Sequence, residues 1–99
     1  MKTLADFEQS LNLNQPADGL SVQLISLWYD GKGDWDQAHA TVDQLSGQDS
    51  AWVHAYLHRK EGDTWNADYW YNKAGQKRPD LPLNEEWKQL VLYFLDQNR

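Results

Sequence analysis

The chain has 99 residues, a formal charge of −6 and no cysteine, which bounds it to one domain with a modest core and excludes disulfides, thiol chemistry and cysteine-ligated zinc. The acidic balance, with a pI near 4.8, argues against a nucleic-acid backbone or an anionic membrane as partner. No run approaches the roughly 20 apolar residues that span a bilayer, and Met1 to Glu8 lack a signal-peptide core, so the expectation is a soluble cytoplasmic protein.

Leu4, Phe7 and Leu11 recur at helical spacing, which predicts a first helix over about 3–11. A loop with Pro16 and Gly19 follows. From Leu20 to Tyr29 the chain is apolar nearly all round, as in a helix held between neighbours. Asp30 to Asp34 reads as a turn, with Asp34 capping a third helix over about 35–45. Ser46 to Ser50 reads as another turn, Asp49 or Ser50 capping a fourth helix over 51–60. Glu61-Gly62-Asp63 leads into a fifth helix over 64–74, which Gly75 ends. After a stiff Arg78-Pro79-Asp80-Leu81-Pro82 connection, Asn84 is placed to cap a last helix carrying Trp87, Leu90, Val91, Phe94 and Leu95 on one stripe. Glu85 and Glu86 read as a solvated first turn. No alternation of strand period appears, so the fold class is all-α.

Within this order one pattern occurs twice, 29 residues apart: Gly33-Asp34-x-x-x-Ala38 and Gly62-Asp63-x-x-x-Ala67. Repetition at such a period predicts stacked helical hairpins, because one hairpin cannot bury its apolar face alone. The expected organisation is a single domain over 1–99: hairpin one over about 20–46, hairpin two over about 50–75, a short N-terminal helix, and a C-terminal capping helix over about 84–97.

Gly62-Asp63-x-x-x-Ala67-x-x-x-Tyr71-x-x-Ala74, followed by Pro79, resembles the second half of a tetratricopeptide repeat. Gly33-Asp34-x-x-x-Ala38-x-x-x-Val42-x-x-Leu45 matches it less fully, and Ser26 and Ala55 stand where that family keeps small residues for close helix contact. The period is 29 where the family has 34. Trp52 to Asp63, WVHAYLHRKEGD, also resembles a set of short bacterial proteins. The repeat resemblance implies a protein-interaction module whose concave face takes a peptide, and it puts Trp52, Tyr56, Arg59 and Lys60 on that face. Aromatic rings beside two cations suit an acidic or aromatic segment. The same Trp and Tyr also suit a cap against the last helix.

His54 and His58 stand at i and i+4, where the first copy has Ile25 and Tyr29. Three readings stay open. The rings can pack inside the hairpin with satisfied hydrogen bonds. They can form a metal pair with Glu61 as third ligand, although His-x-x-x-His without the Glu of the zinc-protease pattern is a weak signal. One can act as general acid or base beside a carboxylate, but no nucleophile elbow or phosphate loop supports catalysis. His39 reads as solvent-facing. Trp28, Trp65, Trp70 and Trp87 read as core or helix seams. The expectation is a protein or peptide binder with no cofactor and no catalytic residues. The alternatives are a metal-binding or hydrolytic site at His54, His58 and Glu61, and a symmetric homodimer through exposed Trp surface.

Overall fold

The computed structural model describes residues 3–97, and among them the chain forms six α-helices and no strand. They are α1 (Leu4–Ser10), α2 (Val22–Gly31), α3 (Trp35–Val42), α4 (Gln48–Lys60), α5 (Thr64–Ala74) and α6 (Leu83–Gln97). Most of the helix starts are written locally. Side-chain oxygens of Thr3, Ser21, Asp34 and Asp63 accept from the backbone amides of Asp6, Leu24, Gln37 and Asn66, satisfying donors a helix start leaves open. Gly75 closes α5 at φ 72°, a left-handed conformation that a Cβ disfavours.

Helices α2 and α3 form one antiparallel hairpin and α4 and α5 the second, stacked so that α2 and α3 both lie against α4. Small residues set the approach. Ser26 and Ala38 are fully buried where α2 meets α3, and Ser26 Oγ donates to the Ala38 carbonyl at 2.7 Å. Ala55 and Ala67 occupy the equivalent seam between α4 and α5, beside buried Tyr71.

Helix α6 lies along α2 and α4, and α1 packs on α6. The main core is built there, from Phe7, Leu24, Leu27, Trp28, Val53, Leu57, Trp87, Leu90, Val91 and Phe94 among others. Trp87 Nε1 donates to the Leu27 carbonyl at 3.0 Å. Burying these side chains contributes about 1.5–3 kcal/mol each before chain entropy is counted. No described helix is long and apolar enough to cross a membrane.

Four local expectations are corrected. Helix α2 runs through Asp30 and Gly31, so Asp30 is a buried helical residue and not part of a turn. Helix α3 stops at Val42, and α4 starts three residues early, at Gln48, behind Gly47 at φ 104°. Ser50 therefore lies inside α4, buried, where it accepts from Gln23 Nε2 at 3.1 Å and caps nothing. Helix α6 begins at Leu83, because the Pro82 carbonyl takes the amides of Glu85 and Glu86, and this puts Asn84 within the first turn.

Candidate metal centre

Helix α4 presents different chemistry on opposite faces. Position 54 faces α3 and α5 and position 58 faces α3, whereas position 52 faces α6 and positions 56 and 60 face Asp30 of α2.

On the first face His54 is 5% exposed and lies between two flat rings. Trp70 of α5 stacks on it at 4.1 Å and 23°, and His58, one turn on, stacks at 4.8 Å and 25°. From α3, His39 brings Nε2 to 3.0 Å from His54 Nε2, one nitrogen donating and the other accepting according to tautomer. The His39 ring lies 4.8 Å from that of His54 and 5.3 Å from that of His58. One ligand nitrogen from each of the three imidazoles lies within 4.8 Å of the other two. His39 is thus half-buried inside the cluster, which corrects its expected solvent-facing position.

Trp35 explains why His39 arrives there. It stands one turn before His39 and stacks on it at 4.9 Å and 10°. Its indole Nε1 donates to the Leu57 carbonyl of α4 at 2.8 Å, locking α3 onto α4.

Carboxylates stand behind two of the rings. Glu61 Oε1 lies 2.8 Å from His58 Nδ1, and Asp43 Oδ2 lies 3.7 Å from His39 Nδ1. The Glu61 carboxylate, in hydrogen-bond contact with His58 Nδ1, orients that ring and leaves its Nε2 open for a ligand, while Asp43 stands near His39 Nδ1 beyond hydrogen-bond distance. Glu61 thus sits at the rear of His58, and the third imidazole of the set comes from α3. His58, Glu61 and Asp63 form a second close group, but Asp63 is engaged by the amide and side chain of Asn66, which hold its carboxyl below the usual range.

Burial, reinforced by neighbouring His58 and His39 and opposed weakly by Asp43, pushes His54 down to about 4. A neutral imidazole at physiological pH is the form that ligates a metal.

The other face of α4 is engaged within the domain. Trp52 packs edge-on to Tyr93 at 5.1 Å and against Phe94 at 6.0 Å. The buried Tyr56 hydroxyl donates to Asp30 Oδ2 at 2.7 Å; burial first, then the Asp30 charge, push its ionisation up. Lys60 Nζ reaches Asp30 Oδ1 at 2.8 Å. Arg59 Nη1 donates to Glu86 Oε1 at 2.8 Å, Arg59 Nη2 to the Leu81 carbonyl, and the Tyr71 hydroxyl to Glu86 Oε2. Glu86 is 2% exposed and pinned by both, which corrects its expected solvated position. A further correction concerns Trp65, which is 76% exposed and belongs to no core or seam. Trp28 and Trp87 are buried as expected, and Trp70 is half-buried on His54.

Compared with known proteins, the chain matches no family model, no curated protein and no solved structure.

Proposed function

We propose that the protein binds a divalent transition-metal ion through His39, His54 and His58. The observation that carries this reading is the convergence of three imidazoles from two helices, with Glu61 bonded to the Nδ1 of His58 and Asp43 near the Nδ1 of His39. Zinc takes imidazole nitrogen at ~2.0–2.1 Å in tetrahedral geometry, which sets the ligand nitrogens roughly 3.4 Å apart. His39 and His54 stand at 3.0 Å, and the cluster's largest nitrogen separation is at most 4.8 Å. Closing that gap takes movement of about 1.4 Å, within the reach of small ring rotations. An all-imidazole set suits Zn²⁺, Ni²⁺, Co²⁺ or Cu²⁺ and disfavours Ca²⁺ and Mg²⁺, which prefer oxygen. Three protein ligands leave a fourth position for water or an exogenous ligand.

Titrating tag-free, chelator-treated protein with Zn²⁺ in a calorimeter tests this. One saturable site per chain is expected, lost in His39→Gln and weakened roughly 10–100-fold in Glu61→Gln, whose carboxylate acts through His58. No saturable heat, or His39→Gln binding as tightly as the parent, would refute it.

A protein-interaction role has separate support from α5. Trp65 and Tyr69 are exposed and stack at 6.3 Å and 12°, with Lys73 5.2 Å from the Tyr69 ring. Exposed Trp and Tyr are the side chains that dominate binding hot spots. The stacked hairpins with Ser26, Ala55 and Ala67 at their seams support the tetratricopeptide-like reading behind that role. Pull-downs in which Trp65→Ala retains every partner would remove it.

A further inference from the structure

A cleft of about 440 Å³ opens on the face of α4 opposite the histidines, between α1, the end of α2 and the start of α6. That volume falls in the range of small-molecule sites, which combine a mostly apolar lining with a few polar groups. Leu11, Leu83 and Trp87 supply the apolar lining, and Tyr56, Lys60 and Lys88 bring polar atoms to the same space.

The walls are held in place. A Cβ on Gly31 would fall 3.0–3.1 Å from the Leu11 methyls and the Trp87 ring, so the bare backbone of α2 lets these two side chains close one end. Lys32 Nζ donates to the carbonyls of Leu11 and Leu13, tying the segment after α1 to α2. Tyr56 is fixed by Asp30.

Two lysines on the lining offer donors to an acid group. Lys60 gives one of its three N–H donors to Asp30 and stays 38% exposed. Lys88 has no carboxylate within ion-pair distance among the described residues. Glu8 is the acidic group on the lining that has no cation on it, whereas Asp30 is engaged by both Tyr56 and Lys60. We propose that this cleft binds a small amphipathic monoanion, a ring-sized apolar body carrying one carboxylate or sulfonate. The apolar body lies on Leu11, Leu83 and Trp87, and the acid group is held by Lys60 and Lys88. The site is independent of the metal centre, being built on other residues and on the opposite face of α4.

The test uses the whole chain and 1-anilinonaphthalene-8-sulfonate as probe, followed by its fluorescence and by amide chemical shifts. Expected are one saturable site and shift changes centred on Gly31, Lys60 and Asn84. Lys88→Glu, a surface change, should weaken binding roughly tenfold or more by removing one charge-assisted contact and adding a repulsion. Lys88→Arg should bind like the parent, and Leu83→Trp, checked for its fold by circular dichroism, should abolish binding by filling the cleft. Unchanged affinity in both Lys88→Glu and Leu83→Trp, shift changes gathered at Trp65 and Tyr69, or no saturable binding would each overturn the proposal.

Discussion

Lowering the pH should destabilise the metal-free protein through His54, and the size of the effect follows from its surroundings. In the folded chain, burial and the rings of His58 and His39 hold this imidazole to about 4, against an ordinary 6.5. His39 faces it from α3 and Asp43 from the residue that follows α3, His58 from its own helix and Trp70 from α5. The unfolded chain takes up the proton that the folded chain refuses, so acid favours unfolding. The stabilising contribution is complete above about 6.5, falls as pH drops between 6.5 and about 4, and is constant below that. The difference, 6.5 − 4 = 2.5 pH units, corresponds at ~1.36 kcal/mol per unit to about 3 kcal/mol. That is a large share of the ~5–15 kcal/mol that holds a typical domain together. Urea unfolding at a series of pH values in the presence of chelator measures it. His54→Gln is the control, since it keeps a polar side chain of comparable size and removes the titration. The parent should lose about 3 kcal/mol more than His54→Gln across this window. Parallel profiles for the two proteins would refute the reasoning, because the acid sensitivity would then come from other groups.

Three further outcomes follow from the packing. Arg59→Met leaves the Glu86 carboxylate buried without its cation and should cost about 3–5 kcal/mol by urea unfolding, with more than half recovered in Arg59→Met/Glu86→Met. Trp65→Ala should change stability by no more than about 0.5 kcal/mol, whereas Trp28→Ala, at a fully packed site whose indole donates to the Ser10 carbonyl, should cost about 3–5 kcal/mol in the same assay. Gly75→Ala places a Cβ on a residue at φ 72° and should cost about 1 kcal/mol, read as a lower urea midpoint with unchanged slope.

How much of the candidate site could be read beforehand depends on the range of each interaction. His54 and His58 stood out because a local pattern was broken: two titratable rings occupy positions held by Ile25 and Tyr29 in the first copy. Glu61 was visible for the same reason, three residues from His58. His39 was missed, since its partner lies 15 residues away. The signal that could have found it was the stacking implied by the repeat, in which α3 of hairpin one rests on α4 of hairpin two. Trp35 and Asp43, one turn to either side of His39, completed that signal. Glu86 was misplaced because a first-turn glutamate is ordinarily solvated, and Arg59 and Tyr71, 27 and 15 residues earlier, make its burial tolerable.

The sequence by itself determined the helices, their hairpin pairing and most of their ends. Those features rest on bonds between residues three or four apart, on the freedom of Gly75 to adopt positive φ, and on small residues repeated every 29 positions. Tertiary structure alone decided which partner each apolar stripe received. An amphipathic helix states that one face must leave water and does not name what will cover it. Helix α6 therefore lies on α2 and α4, covering the aromatic face of α4, while α5 leaves Trp65 in solvent.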